Sequence, residues 1–286
     1  MDRFASYDGT EIAFRILGEG RPLVCLPGGP GRAGEYLGDL GGLAGWRQLI
    51  EPDTRGTGAS ADADPATYRC DRLVADVEAL RAHLGLDRFD LLAHSAAGNV
   101  AVLYAAAHPE RLGHLVLLTP SLLAVGVEVT EEQGRAAMQR RSGEPWYADA
   151  VAAVEKAEAG DDSLETRHAY VPFFYGRWDE AAQAHAQVGI SERSRAVRDS
   201  FFADGAFHPG ATRAGLGRLA APVLIYAGEL DFSPTPEVAV DAARLFPHAE
   251  VVVQPEAAHS PWLDDPAWFT SAINIFLGSS PASAGG

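Results

Sequence analysis

Short apolar runs, separated by turns and by amphipathic segments, occupy the chain up to residue 120 and again after residue 215. Short runs bounded by Gly, Pro or Asp are typical of strands, whereas apolar positions three or four residues apart are typical of helices. Strands are predicted at Arg3–Tyr7, Glu11–Leu17, Pro22–Leu26, Arg47–Pro52, Phe89–Ala93, Leu115–Leu118, Pro222–Ala227 and Glu250–Val253. Helices are predicted at Arg72–Leu84, Asn99–Ala107, Thr235–Leu245 and Asp265–Leu277. Because strands and helices alternate, we expect an α/β fold with a mostly parallel, eight-stranded sheet flanked by helices.

The region between these two parts has a different pattern. Residues 121–215 are rich in Ala, Glu and Arg, show helical periodicity and contain no strong strand signal. We therefore predict a helical cap at 121–215, inserted into a core that is formed by 1–120 and 216–278. The small and polar residues at 279–286 predict a flexible tail.

One segment of the predicted cap is strongly aromatic. Tyr170–Trp178 (YVPFFYGRW) holds five aromatic residues in nine positions. Such a patch either lines a pocket or seats the cap on the sheet, and seating is favoured for most of it. Phe173, Phe174 and Trp178 are the candidates for contact with a substrate.

The stretch Arg88–Gly98 (RFDLLAHSAAG) places a serine directly after a predicted strand. Helix formers follow at Asn99–Ala107, so strand, tight turn and helix meet at Ser95. This layout raises a hydroxyl above the sheet and directs the first helical N–H groups towards whatever binds beside it. Ala93 and Ala97 stand where such a turn usually carries glycine, and one methyl group at each position is tolerable. An ordinary helix N-cap is the alternative role for this serine.

Two further loops carry side chains that would make the serine reactive. Asp231 and His259 each follow a predicted strand, and open parallel sheets bind ligands beyond the carboxyl ends of their strands. A serine hydroxyl holds its proton at neutral pH, so Ser95 needs a base to become a nucleophile. His259 can accept that proton, and Asp231 would fix the tautomer of the histidine.

The loop at 27–31 (PGGPG) follows another buried strand. Three glycines and two prolines in five residues are incompatible with helix or strand. Backbone with so few side chains lets N–H groups approach a ligand closely. The N–H groups of Gly29 and Ala96 are therefore the candidates for an oxyanion hole, and Gly28 is a candidate substrate contact. A plain surface turn is the competing interpretation.

Other residues compete for some of these roles. Glu229 lies two positions before Asp231 and is the alternative acid. His94 adjoins the serine, but its side chain should point away from that of Ser95, so we expect a buried, hydrogen-bonded histidine. Surface positions are expected for His168, His185, His208 and His248.

Composition and motifs argue against several binding functions. The formal charge of −16 over 286 residues disfavours nucleic acid and anionic membranes, which need basic patches. The segment Asp53–Ser60 (DTRGTGAS) lacks phosphate-loop spacing, and we expect Asp53 and Arg55 to brace it by an ion pair. Cys25 and Cys70 define no disulfide framework and no metal site, so no metal or cofactor is expected. Without an apolar leader or a membrane-spanning run, a cytoplasmic protein is expected.

Five segments together resemble the α/β-hydrolase superfamily and, within it, the proline iminopeptidase-like branch. They are PGGPG at 27–31, DTRGTGAS at 53–60, AHSAAG at 93–98, GELD at 228–231 and AAHSPWLDDPAWF at 257–269. The order serine, acid, histidine along the chain is the one that this architecture uses. Where the branch typically carries H-G-G-P-G and G-x-S-x-G-G, this chain has Pro27, Ala93 and Ala97.

The resemblance implies a serine hydrolase that cleaves an amide or ester through an acyl-enzyme. Its first implied substrate is an N-terminal proline or a small aminoacyl group, with carboxylates of the cap and nearby loops holding the free amine. A carboxylesterase, thioesterase or lactonase acting on a small molecule is the alternative. A non-catalytic, ligand-binding member of the same fold is the rival from a different class. A small molecule or short peptide is the expected partner in each case, and the oligomeric state stays open.

Overall fold

The computed structural model describes residues 1–161, 163–191 and 194–278, and at residues 190 and 191 it describes the backbone only. The predicted tail at 279–286 lies outside these residues. The strands are β1 (Asp2–Ala5), β2 (Glu11–Leu17), β3 (Pro22–Leu26), β4 (Gln48–Pro52), β5 (Phe89–His94), β6 (Leu112–Leu118), β7 (Val223–Gly228) and β8 (Ala249–Gln254). They form one sheet in the order β1-β2-β4-β3-β5-β6-β7-β8. β1, β2 and β4 pair antiparallel and every later pair is parallel, which confirms the predicted mostly parallel, eight-stranded sheet.

Helices cover both faces of this sheet. Those of the core are α1 (Cys70–His83), α2 (Ala97–Ala107), α9 (Pro236–Ala243), α10 (Pro261–Asp264) and α11 (Pro266–Leu277). Successive residues of a strand point to opposite faces of the sheet, so each central strand contributes side chains to two hydrophobic cores. On β5, Leu91 packs with α1 and α2, whereas Leu92 packs on the other face with α11.

The cap segment, residues 121–215, connects β6 to β7. Its helices are α3 (Glu131–Gln139), α4 (Tyr147–Glu158), α5 (Leu164–Tyr170), α6 (Glu180–Ser191), α7 (Arg195–Phe201) and α8, which runs from Pro209 to Leu216. Within the described part of this segment there is no strand, and the extended pairing is limited to one bridge between Leu122 and Val127. Its helical character therefore follows the sequence pattern.

The ion pair predicted between Asp53 and Arg55 does not form. Asp53 accepts hydrogen bonds from the backbone N–H groups of Gly34 and Ala59, at 2.8 and 2.9 Å. Arg55 turns the other way, where it pairs with Asp8 at 2.7 Å and with Asp76. Residues two apart in this loop project to different sides, so the prediction identified two bracing side chains but assigned them the wrong partners.

Candidate active site

Ser95 occupies a strained turn between β5 and α2. Its φ is 56°, a left-handed value that is uncommon for a residue other than glycine. Three backbone hydrogen bonds hold it there: its N–H donates to Leu118 O at 3.0 Å, and its carbonyl accepts from Gly98 at 2.9 Å and Ser121 at 3.0 Å. The turn therefore fixes where the hydroxyl lies before any ligand binds.

His259 lies between Asp231 and Ser95. Its Nδ1 is 2.8 Å from Oδ2 of Asp231, and its Nε2 is 2.9 Å from Oγ of Ser95. Because a carboxylate only accepts, we assign the ring proton to Nδ1, and Nε2 then accepts from the serine hydroxyl. Asp231 is completely buried, and its second oxygen accepts the N–H of Ser233 at 2.9 Å. This arrangement can carry a proton from the hydroxyl to the imidazole.

The backbone of His259 is held as firmly as its side chain. Its carbonyl accepts from Nε2 of His94 at 2.9 Å and from Oγ1 of Thr119 at 3.0 Å. Its N–H donates to the carbonyl of Phe174, a residue of the cap segment, at 3.1 Å. The position of the imidazole therefore depends on the neighbouring strands and on the cap.

A chain of hydrogen bonds links His94 to the glycine-rich loop. Burial holds the pKa of His94 well below its ordinary value, so the ring is neutral. Its Nε2 donates to His259, which leaves Nδ1 to accept from the Tyr36 hydroxyl at 2.6 Å. The hydroxyl oxygen of Tyr36 accepts from the Gly28 N–H at 2.7 Å. His94 is thus the buried, hydrogen-bonded histidine that the sequence predicted, and it connects two loops of the site.

Two backbone N–H groups beside Ser95 have no acceptor within the part of the chain that the structure describes. They belong to Gly29 and Ala96, the predicted oxyanion donors. Gly28, between Gly29 and the strand, has no room for a side chain, because a Cβ there would lie 2.7 Å from the Cβ of Ser95. Glycine at this position lets the loop lie directly against the serine. Gly28 itself faces a separate apolar cavity rather than the space above Ser95.

Two cavities open on Ser95, and both are also lined by Gly29, Tyr170, Phe174 and His259. The inner cavity, of about 140 Å³, adds polar side chains, among them Arg32, Tyr36, Arg167 and Tyr175. The outer cavity, of about 500 Å³, is largely apolar and adds Val154, Ala157, Phe202 and Phe232, with Glu158 at its edge. The site therefore has two chambers of different chemistry, and both include Ser95 in their lining.

The aromatic patch of the cap segment divides between lining and support. Phe174 lines both cavities, and its ring lies 5.2 Å from that of His259. Phe173 is 1 % exposed and packs against Trp146 and Phe232 behind the cavity wall. Trp178 packs beside Tyr175, at 5.4 Å between ring centroids. The structure thus places Phe173 and Trp178 outside both cavities, where they pack mainly against other side chains of the cap segment.

The alternative candidates lie elsewhere. Glu229 is exposed and accepts the N–H of Glu256 at 2.9 Å, so it does not approach the imidazole. His168, His208 and His248 are exposed, as expected. His185 differs from the prediction, because it is half-buried between Tyr175 and Tyr36, with hydrogen bonds of 2.8 Å to the Tyr175 hydroxyl and 2.9 Å to the Tyr36 carbonyl.

A buried carboxylate joins the cap segment to the loop that carries His259. Asp264 accepts the N–H of Gly176 at 3.0 Å through one oxygen and that of Ala258 at 2.9 Å through the other. Arg177 adds a bond from its side chain to the Asp264 carbonyl at 2.6 Å. Burial raises the pKa of this carboxyl group, and the surrounding N–H donors oppose that shift. Nothing in the sequence singled out Asp264 among the adjacent acids.

Three side chains around Ser95 were missed by the sequence analysis. Tyr36 and Arg32 follow the glycine-rich loop, and their position just after a candidate oxyanion loop is the signal that could have indicated them. Arg167 carried no such signal, because it lies on a cap helix that is polar along much of its length.

Neither a metal centre nor a membrane span is found in the described ranges. Their His, Cys, Asp and Glu side chains form no group of three or more that could hold a metal ion. No helix within the same ranges is both long and apolar enough to cross a bilayer. Cys25 and Cys70 are buried free thiols, and burial raises the pKa of each.

Comparison with known proteins identifies the family to which this fold belongs. A model of the α/β hydrolase fold family matches residues 21–266. The proline iminopeptidase of Levilactobacillus brevis is 25% identical over 97% of this chain and 96% of its own length. The N-formylmaleamate deformylase of Pseudomonas putida is 27% identical over 92% of this chain and 91% of its own. An esterase structure from Rhodococcus is 25% identical, covers 98% of this chain and 99% of that chain, and superposes with a TM-score of 0.74.

The chain therefore belongs to the α/β hydrolase fold family, whose model spans most of its length. Its similarity to proline iminopeptidases confirms the resemblance that the motifs indicated. The similarity to the deformylase is of the same order, so similarity alone does not select one substrate.

Proposed function

We propose that this protein is a serine hydrolase that cleaves an amide or ester bond through an acyl-enzyme on Ser95. The observation that carries the proposal is the continuous path from Asp231 through His259 to the serine hydroxyl, with links of 2.8 and 2.9 Å. Ser95 Oγ attacks the carbonyl carbon while its proton passes to Nε2 of His259, and Asp231 stabilises the imidazolium. The N–H groups of Gly29 and Ala96 bind the oxygen as it becomes negative.

The second half of the reaction uses the same groups. The bond to the leaving amine or alcohol breaks, and Nε2 of His259 returns the proton to it. A water molecule then attacks the acyl ester, with His259 again accepting a proton, so that the acid is released and Ser95 is restored. The cap segment would shield these steps from bulk solvent, since Phe174 and Tyr170 line the space above the serine.

Two substrate classes are compatible with this chemistry. Removal of an N-terminal proline or small aminoacyl group is supported by similarity to proline iminopeptidases along nearly the whole chain. Hydrolysis of a small-molecule ester or amide is supported by similarity to the deformylase and by the arginine-lined inner cavity. Blocking the amino group of a prolyl anilide separates the classes, because only an aminopeptidase should lose its rate.

Labelling with a fluorophosphonate tests the proposed nucleophile. We expect one label per chain on the unmodified protein and on Ser271→Ala, an exposed serine of α11, and none on Ser95→Ala. Equal labelling of Ser95→Ala, or an unlabelled but folded parent protein, would contradict the proposal. The second result would favour the ligand-binding class instead.

A further inference from the structure

The outer cavity beside Ser95 is large, and much of its wall is carbon. Its volume of about 500 Å³ falls within the range of cavities that bind small molecules. It is lined by four apolar side chains that do not line the inner cavity, those of Val154, Ala157, Phe202 and Phe232. The inner cavity is smaller, at about 140 Å³, and more polar. A bulky substrate group therefore finds its space in the outer cavity.

The lining of the outer cavity carries little charge. Among its described lining residues Glu158 is the single acid, and there is no Lys or Arg. The Glu158 side chain is 53% exposed and lies 3.8 Å from Arg135, so solvent and an opposite charge screen it. The imidazole of His259 is directed to Ser95 and Asp231. The cavity is therefore suited to an uncharged group.

Phe202 extends the apolar wall of this cavity to the surface of the protein. The residue is 44% exposed, and it also lines the cavity, so its exposed surface continues the wall. Its ring is supported by Phe201, which is buried, at 4.8 Å between ring centroids, and by Phe207 at 6.1 Å. Apolar surface that stays in contact with water beside a cavity is stabilised when an apolar ligand covers it.

The outer cavity also contains the groups that the proposed reaction uses. Ser95, Gly29 and His259 line it, as they line the inner cavity. Ala96, whose N–H is the second proposed oxyanion donor, lines the outer cavity but not the inner one. A group bound in the outer cavity therefore lies next to the carbonyl that Ser95 attacks. Its burial can stabilise the transition state as well as the bound substrate.

We propose that the outer cavity binds an uncharged, apolar arm of the substrate, so that this enzyme hydrolyses esters or amides with an extended alkyl or aryl group. The inference rests on the proposed serine hydrolase function and names its substrate class. The five-membered ring of a prolyl group would leave much of a cavity of about 500 Å³ to water. A longer apolar arm displaces that water, and each methylene that it buries strengthens binding by up to about fourfold.

Methyl acetate, methyl hexanoate and pentyl acetate test the assignment. The last two are isomers that add four methylene groups to methyl acetate, on the acyl side and on the alcohol side respectively. We expect kcat/KM, measured by titration of the released acid, to rise at least about tenfold for one isomer. The other isomer cannot place its added carbons in the outer cavity and should gain less than about threefold. The favoured isomer identifies the side of the ester bond that the cavity accepts.

Substitutions then show whether the outer cavity causes the preference. The measured quantity is the ratio of kcat/KM for the favoured isomer to kcat/KM for methyl acetate. Ala157→Trp fills the cavity and should lower this ratio by about tenfold. Ala152→Trp, the same change at an exposed position of the same helix, is the matched control and should leave the ratio unchanged. Phe202→Ala removes part of the wall and should lower the ratio by about threefold.

Each outcome decides between the two proposals. A gain that is absent, that both isomers share equally, or that Ala157→Trp and Ala152→Trp reduce equally overturns the apolar-arm assignment. Fluorophosphonate labelling of Ser95 still supports the hydrolase in those cases, and labelling without hydrolysis of any of these esters also counts against the assignment alone. If Ala157→Trp does not fold, Ala157→Leu and Phe202→Ala carry the test. Absent labelling together with absent ester hydrolysis overturns both proposals.

Discussion

The strand-end loops that carry Ser95 and the cap segment that covers it are held in place by different interactions. We call these two parts of the site the floor and the roof. The floor consists of loops at the carboxyl ends of β3, β5, β7 and β8, and hydrogen bonds to buried backbone hold its groups, as at His259. The roof consists of residues of the cap segment, whose positions depend mainly on aromatic packing of side chains such as Phe173 and Phe174. Hydrogen bonds fix direction as well as distance, whereas apolar packing tolerates changes of shape. The contrast suggests that the floor determines the reaction and the roof determines what is admitted.

The largest expected effect lies in the floor. Asp231→Asn should reduce kcat by about 10⁴-fold, because an amide at this position favours the wrong tautomer of His259. Glu229→Gln is the matched control two residues away and should change kcat by less than about twofold, since the Glu229 carboxylate accepts the backbone N–H of Glu256 at the surface. Steady-state kinetics on an activated ester measures both. A larger loss in Glu229→Gln than in Asp231→Asn would show that Glu229, and not Asp231, is the acid.

An intermediate effect is expected where floor and roof meet. Asp264→Ala leaves the half-buried N–H of Gly176 and the buried N–H of Ala258 without an acceptor, which should lower the free energy of unfolding by about 2 to 3 kcal/mol. It should also lower kcat/KM by about tenfold, because Ala258 precedes His259 directly.

The neighbouring Asp265→Ala provides the comparison for this junction. Asp265 caps α11 by accepting the N–H of Trp268 at 3.0 Å, so its loss should cost about 1 kcal/mol and leave kcat/KM unchanged. Urea denaturation and kinetics at one pH measure the two variants side by side. Equal kinetic effects of both substitutions would refute the junction role of Asp264.

The smallest effect concerns the dependence of stability on pH. Burial lowers the pKa of His185 in the folded protein, so below pH 6.5 the unfolded chain takes up a proton that the fold excludes. Stability should therefore fall as the pH drops below 6.5, by at most about 1.4 kcal/mol per pH unit for this group. His185→Gln should flatten the slope between pH 6.5 and 5.5 by up to that amount. His248→Gln replaces an exposed histidine and is the control, and a slope in His185→Gln that is no flatter than in this control would contradict the assignment.

The floor could be anticipated because one local rule covers it. A polar residue just after an apolar strand must lie at the carboxyl edge of a parallel sheet, so Ser95, Asp231 and His259 were expected to converge before any distance was known. The choice between Asp231 and Glu229 needed the structure, since both follow β7 and their directions depend on the turn between them.

The residues of the roof and the supporting contacts could not be predicted from the sequence by the same rule. Tyr36, Asp264 and His185 act through partners that are 58, 88 and 149 positions away in the chain, and no short pattern encodes such distances. Arg167 looks like any surface arginine of a cap helix until α5 is packed over the inner cavity. The error at Asp53 and Arg55 has the same origin, because sequence proximity was taken for contact.

One backbone hydrogen bond described above has a practical meaning for protein engineering. The N–H of Ser121, the first residue of the cap segment, is anchored on the carbonyl of Ser95 at 3.0 Å. If the cap segment is replaced by that of another family member, the junction should therefore lie just after Ser121. The hydrogen bond from the Ser121 N–H to the Ser95 carbonyl is then kept. Recombination at that point would exchange the cavity lining between family members, provided that the new segment keeps the contacts of Phe174 and Gly176 with the loop of His259.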